Sequence, residues 1–174
     1  MRASVFRKTV TVDRSNLLER FVETLRRHRV PFCLIGGQAL NAYVEPVVSL
    51  DLIIVIASDR VADVEAMALQ DFKVERFPYS LNISDARSDL RIQLQLDPRY
   101  APFIERATTR QVLDLALPVA AVDDILQGKI WAAQDETRRG SKRQKDLADI
   151  ARVLEAFPEL RRLVPQDVLG RLVG

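Results

Sequence analysis

The stretch from 32 to 56 constrains the fold more than any other part of this 174-residue chain. It begins with the apolar run FCLI, which is too short for a helix and is typical of a buried strand. The pair Gly36-Gly37 follows at once, then a segment of helical character over 38–43, and then the β-branched run 50–56. The predicted order is therefore strand, glycine turn, short helix and strand.

A glycine pair between a strand and a helix can bind an anion. Glycine lets backbone N–H groups approach a ligand closely, and the start of a helix favours negative charge. A tight turn with no ligand uses the same residue type. Gly36 and Gly37 taken alone therefore leave both interpretations open.

The residues around the glycine pair also match a known pattern without a gap. The matching positions are Gly36, Gly37, Ala39, Leu40, Ala42, Tyr43, Pro46, Ser49 and Asp51. With them the segment resembles the core motif of the nucleotidyltransferase superfamily, in particular the small bacterial branch of AbiE-type toxins. The resemblance implies an α/β fold, with a mixed sheet flanked by helices and a helical C-terminal lobe. It also implies toxin-like transfer of NMP from an NTP to a protein or RNA hydroxyl.

The chain departs from this pattern at the positions that bind metal in the family. The family uses two alternate aspartates on one strand and a third carboxylate from a neighbouring strand, and here these positions are Asp51, Ile53 and Gln93. A motif arginine is replaced by Val47. Isoleucine offers no oxygen to a hard cation. We therefore expect weak metal binding by Asp51, with Mg²⁺ or Mn²⁺ present only if the chain is active or if NTP brings the ion.

Two functions follow from these residues. In an active enzyme, Asp51 would be the surviving catalytic carboxylate, and Asp85, Asp89 or Asp97 would have to supply the missing ligands. In a chain that has lost its metal site, the fold would serve as a nucleotide-binding, anion-binding or regulatory module. Because two of the three metal positions carry residues without a carboxylate, the sequence favours the second function.

A second resemblance to the same family lies in the C-terminal third. The run TRRGSKRQK carries five basic residues and no acid. Lys129 before it matches the family's helix lysine, and Lys142, Lys145 and Asp146 fall in its basic signature. Two interpretations fit this run equally well. In one the run binds an anion, and in the other it is a solvated loop with ion pairs inside the helix, where Asp146 or Asp149 is the partner of Lys145. The predicted nucleotide- or phosphate-binding residues are Gly36, Gly37, Ser49, Lys129, Lys142 and Lys145.

Hydrophobic patterning predicts a single domain over 1–174, with an α/β core at 1–117 and a helical lobe at 118–174. The most regular strand is LRIQLQL, in which apolar and polar residues alternate. The other predicted strands in this half are 72–77, 81–83 and 112–115, and the predicted helices begin at Asp13 or Ser15, Ser58, Tyr100, Ala121, Ser141 and after Pro165.

Composition limits the partners. The net charge is +2 and 48% of residues are hydrophobic, as in an ordinary globular protein. No aromatic residue interleaves with the basic run, so nucleic-acid binding is the weaker hypothesis, and a partner protein stays open. The absence of an apolar run of about 20 residues and of a leader in MRASVFRKTVTVD predicts a cytoplasmic protein with no membrane partner. One histidine and one cysteine are too few for a zinc site.

Overall fold

The structure, a computed structural model, describes residues 16–49 and 51–173. Its strands are β1 (Phe32–Ile35), β2 (Asp51–Ile56), β3 (Lys73–Phe77), β4 (Ser80–Ser84), β5 (Arg91–Gln95), β6 (Thr108–Val112) and β7 (Leu115–Val119). Its α-helices are α1 (Leu17–Arg27), α2 (Gly36–Leu40), α3 (Val61–Asp71), α4 (Phe103–Arg106), α5 (Val122–Gln134), α6 (Gly140–Ala156) and α7 (Gln166–Leu169). Short 3₁₀ turns span Ser58–Arg60, Pro98–Tyr100 and Pro158–Leu163.

The strands form one mixed sheet in the order β3-β4-β5-β2-β1-β7-β6. At its centre β1 runs antiparallel to β2 and parallel to β7, while β2 runs parallel to β5. The register places Ile35, the last residue of β1, opposite Ile53. It also places Asp51 opposite Arg91, and Ile53 opposite Gln93. The glycine turn and the three expected metal positions therefore meet at one end of the central strands.

Alternation along β5 separates a core face from an accessible face. Ile92 and Leu94 are fully buried, whereas Gln93 and Gln95 are half-buried. Successive side chains of a strand point to opposite sides of the sheet, so both glutamines share one face. The predicted strand LRIQLQL is confirmed, and its polar face is the one that meets the helical part of the chain.

The predicted strand over 112–115 is wrong. Val112 ends β6 and Leu115 begins β7, and the two strands pair antiparallel as a hairpin. Leu113 and Asp114 connect them with φ angles of 51° and 65°. Two positive φ values in a two-residue loop match the twist of the flanking strands.

The first helix of the lobe begins close to the predicted position, at Val122 instead of Ala121. Pro118 and Val119, the first residues of the predicted lobe, belong to β7. α6 begins at Gly140, one residue before the predicted cap Ser141. The predicted caps Asp13 and Ser15 lie outside the described residues. Within the described part of the chain, no helix combines the length and apolar character needed to cross a membrane.

Candidate functional site

A cleft of about 160 Å³ lies between the glycine turn and helices α5 and α6. Its lining residues are Ile35, Gly36, Gly37, Ser49, Asp51, Ile53, Gln93, Gln95, Tyr100, Phe103, Asp124, Ile125, Gly128, Lys129, Ala132, Arg138, Lys142, Lys145 and Asp146. The structure thus brings every predicted site residue to one cleft, from both the sheet and the helical lobe. What these residues bind stays a prediction.

The glycine turn, Gly36 and Gly37, forms the first two residues of α2, which spans Gly36–Leu40 instead of the predicted 38–43. Ile53 packs against Gly36. Gly36 has a φ of 76°, in the left-handed region that favours glycine. A Cβ at this position would lie 2.9 Å from Ile53 Cδ1, whereas a Cβ at Gly37 would meet nothing closer than Ser49 Oγ at 4.0 Å. The residue that replaces the family's second aspartate therefore packs directly against the turn.

Polar contacts hold the end of the loop that leads into β2. Gln38 Nε2 donates to the carbonyl of Ser49 at 2.7 Å. The Ser49 hydroxyl donates to the carbonyl of Asp51 and accepts from its N–H, both at 3.3 Å. Ser49 lies in the cleft as predicted, with its hydroxyl bonded to the backbone at the start of the strand.

The three expected metal positions hold one carboxylate, one alkyl chain and one amide. Asp51 Oδ1 accepts from Arg91 Nε at 3.1 Å and lies 3.0 Å from Arg91 Nη2. Ile53 and Gln93 are neighbours in the β2–β5 register. A hard divalent cation prefers several oxygens, mostly from carboxylates. This donor set does not fit Mg²⁺ or Mn²⁺, and among the described residues no group of three or more histidine, cysteine or acidic side chains could hold a metal ion.

The carboxylates proposed as replacement ligands lie elsewhere. Asp85 accepts hydrogen bonds from Arg87 and Arg20, and Asp97 accepts from the N–H and the side chain of Arg99. Neither these two aspartates nor Asp89 lines the cleft. The hypothesis that they complete a metal site is therefore wrong for the observed geometry.

The cleft contains two further acidic residues, both ion-paired. Asp124 accepts two hydrogen bonds from Arg106, at 2.8 and 2.9 Å. Asp146 has a side chain only 1% exposed and pairs with Lys129 at 3.2 Å and with Arg138 at 2.7 Å. Asp124 and Arg138 line the cleft but were not predicted as site residues. Arg138 belongs to the basic run, but Asp124 carries only the ordinary signal of an acidic first helical turn.

Lys129, rather than Lys145, is the partner of the two inward-facing aspartates of α6. Lys129 Nζ lies 2.8 Å from Asp149 Oδ2 and 3.2 Å from Asp146 Oδ1. The alternative in which Lys145 pairs with one of these aspartates is therefore wrong. Adjacent helical residues point about 100° apart, so Asp146 turns towards α5 while Lys145 stays exposed.

Lys142 and Lys145 are the cations that the cleft leaves available. Both are exposed and line the cleft, and neither forms an ion pair with a carboxylate in the described parts of the chain. Three residues apart, they share one face of α6. An anion between them and the glycine turn would meet two positive charges.

The fold is that of the nucleotidyltransferases. The solution structure of the antibiotic-resistance factor ANT(2'')-Ia is 12% identical and matches with a TM-score of 0.63 over 90% of this chain and 91% of that one. An antigenic nucleotidyltransferase-like protein from Paracoccidioides brasiliensis is 16% identical, with a TM-score of 0.54 over 90% and 89%. The lincomycin-bound lincosamide antibiotic adenylyltransferase LnuA is 11% identical, with a TM-score of 0.52 over 80% and 97%. At these identities the likeness shows the fold alone.

The sequence assigns the chain to one family within this fold. Residues 37–172 match the family described as nucleotidyl transferase AbiEii toxin, type IV TA system. The chain belongs to this family. Among curated proteins, none matches it significantly.

Proposed function

We propose that this AbiEii-family chain binds a nucleotide or phosphate anion in the cleft and has lost metal-dependent transfer. One observation carries the proposal. Asp51 is ion-paired with Arg91, while Ile53 and Gln93 occupy the other positions expected to hold metal. Two of these three side chains carry no charge, so they lack the carboxylates that a hard cation prefers.

The rest of the cleft supports anion binding. Gly36 and Gly37 line one side of the cleft, and Lys142 and Lys145 bring two ammonium groups to the other. Charged hydrogen bonds to phosphate are stronger than neutral ones. These four residues form the proposed phosphate site, and Lys129 supports it by holding α6 against α5 through Asp146 and Asp149.

An active nucleotidyltransferase is the second candidate. Membership of the family and the position of Asp51 in the cleft favour it. In that case Asp51, whose Oδ1 accepts from Arg91, would be the carboxylate that serves a metal delivered with NTP. The predicted cytoplasmic location and a partner protein, for which the family description suggests an antitoxin, are further proposals.

Transfer and binding measured together separate the two candidates. The purified chain is incubated with each α-³²P-labelled NTP, with Mg²⁺, Mn²⁺ or EDTA, and with cell extract as a source of protein and RNA acceptors. Calorimetry follows binding of the same nucleotides. The proposal expects binding without label transfer, and Asp51→Ala should behave like the exposed control Asp59→Ala.

Metal-dependent labelling that Asp51→Ala abolishes and Asp59→Ala retains would establish the active enzyme. Absence of binding for all four NTPs, under every metal condition, would contradict both candidates.

A further inference from the structure

Tyr100 presents an unbonded hydroxyl to the cleft. Its side chain lines the cleft, and the residue is only 7% exposed. No hydrogen bond joins its hydroxyl to any other group in the described ranges. The Tyr100 oxygen is not one of the fully buried, unpartnered side-chain oxygens of the described residues, so the hydroxyl is open to the solvent that fills the cleft. A bound molecule can supply the partner that the protein does not.

Aromatic packing fixes where this hydroxyl lies. The Tyr100 ring packs edge-to-face against Phe103 and Trp131, with distances between ring centroids of 5.4 Å and 5.2 Å. Gly128 leaves space for the ring, because a Cβ there would lie 3.2 Å from Tyr100 Cε1. A group held in this way loses little further freedom when it binds a ligand. Burial raises the pKa of Tyr100, so the hydroxyl keeps its proton and can donate or accept.

The two cations beside Tyr100 are already paired, Arg99 with Asp97 and Arg138 with Asp146, so neither is available to phosphate. Ile125, Gly128 and Ala132 lie at helical spacing on the cleft side of α5 and carry no charge. Lys129 is on the same side, but its ammonium is paired with two buried aspartates. The available lysines are on α6 instead. The cleft therefore has one region suited to phosphate, beside the lysines of α6, and a second region, beside Tyr100 and α5, suited to an uncharged, partly apolar group.

We propose that the Tyr100 hydroxyl hydrogen-bonds the nucleoside part of the bound nucleotide, base or ribose, while the glycine turn and Lys142 and Lys145 hold its phosphates. This inference rests on the proposed function, because it requires a nucleotide in the cleft. It makes Tyr100 a binding residue that distinguishes a nucleotide from a bare polyphosphate.

Calorimetry on Tyr100→Phe with two kinds of ligand tests this role. The ligands are the NTP that the unaltered chain binds most tightly, chosen from ATP, GTP, CTP and UTP, and inorganic tripolyphosphate. We expect the variant to bind the NTP about three- to tenfold more weakly, as for loss of one neutral hydrogen bond. Its affinity for tripolyphosphate should not change.

Two other tyrosines provide matched controls for removal of a hydroxyl. Tyr79→Phe alters an exposed residue outside the cleft and should change neither affinity nor stability. Tyr43→Phe removes a hydroxyl that donates to the carbonyl of Ala120 at 2.8 Å, so it should lower the melting temperature without changing affinity. Tyr100→Phe should melt like the unaltered chain, since its hydroxyl bonds no group among residues 16–49 and 51–173.

Unchanged NTP affinity in Tyr100→Phe would overturn the inference and leave the proposed function standing. Equal losses for NTP and tripolyphosphate would also overturn it, since the hydroxyl would then contact phosphate. A lower melting temperature for Tyr100→Phe would show a structural partner for the hydroxyl and contradict the inference as well. If the unaltered chain binds neither ligand, the proposed function fails and the inference fails with it.

Discussion

At Gly36 the backbone and the space around it both exclude a side chain. The φ of 76° is unfavourable for alanine, and a Cβ would lie 2.9 Å from Ile53 Cδ1. We predict that Gly36→Ala lowers the free energy of unfolding by roughly 2–3 kcal/mol, from backbone strain and overpacking together. Urea denaturation measures this difference.

The neighbouring glycine is the control for this prediction. Gly37→Ala adds a Cβ with 4.0 Å of clearance from Ser49 Oγ and should change stability by no more than about 0.5 kcal/mol. Adding Ile53→Val to Gly36→Ala removes the closest atom and should recover part of the loss. Equal losses in the two alanine variants would contradict the described turn.

The acid sensitivity of the fold should depend in part on Asp85. Hydrogen bonds from Arg87, with a further one from Arg20, hold the pKa of its carboxyl well below the usual value of 3.8. A carboxylate with a lowered folded-state pKa stabilises the fold above its unfolded pKa, and this contribution is lost as the pH falls. Asp85→Asn should therefore be less stable than the unaltered chain at pH 7, and the difference should shrink below about pH 4.

Chemical denaturation between pH 2 and pH 7 provides the measurement. Asp59→Asn, at an exposed position, is the control and should follow the unaltered chain throughout. A stability difference for Asp85→Asn that stays constant down to pH 2 would show that ionisation of the Asp85 carboxyl does not stabilise the fold.

At the scale of elements, one buried lysine joins the two long helices of the lobe. Lys129 of α5 contacts Asp146 and Asp149 of α6, which are also paired with Arg138 and Arg152. Removing one partner from a buried ion pair typically costs about 3–5 kcal/mol, because the remaining charge stays buried. Each aspartate keeps one arginine, so we predict a loss near 3 kcal/mol for Lys129→Met.

Thermal and urea unfolding test the role of this lysine. Lys73→Met is the matched control, since Lys73 is 71% exposed and its one ion pair within the described part of the chain is with Glu75 on the same strand. The control should change stability by less than about 1 kcal/mol. A similar small effect for Lys129→Met would mean that packing alone joins α5 to α6.

Elements with a regular pattern could be predicted from the sequence. The alternation in LRIQLQL indicates β5, and the run FCLI before Gly36-Gly37 indicates β1. The β6–β7 hairpin could not be predicted, because Leu113-Asp114 lacks the Asn-Gly or Gly-Gly signal of its turn type. Leu113 takes a positive φ because the paired strands on both sides of the loop constrain its backbone.

Contacts between distant elements were beyond sequence reasoning. Asp51 and Arg91 are 40 residues apart, and only the parallel register of β2 and β5 brings them together. The partner of Asp146 depends in the same way on how α5 packs against α6. The residue types of the cleft could therefore be predicted, whereas the pairing of its charges required the structure.

For the whole molecule, the cleft requires both parts of the chain. The α/β core contributes Gly36 and Gly37 at the start of α2 and the altered metal positions on β2 and β5, and the lobe contributes Lys142 and Lys145. The net charge of +2 is too small to attract polyanions over the entire surface. Anion binding should therefore depend on these two lysines and not on the total charge.

Calorimetric titration of NTP in EDTA tests the central claim most directly. The unaltered chain and Lys73→Ala, which removes an exposed lysine outside the cleft, should bind without divalent metal. Lys142→Ala/Lys145→Ala should bind at least about tenfold more weakly, since two charged contacts are lost. Binding that requires Mg²⁺ in the unaltered chain, or that survives unchanged in the double variant, would contradict the account.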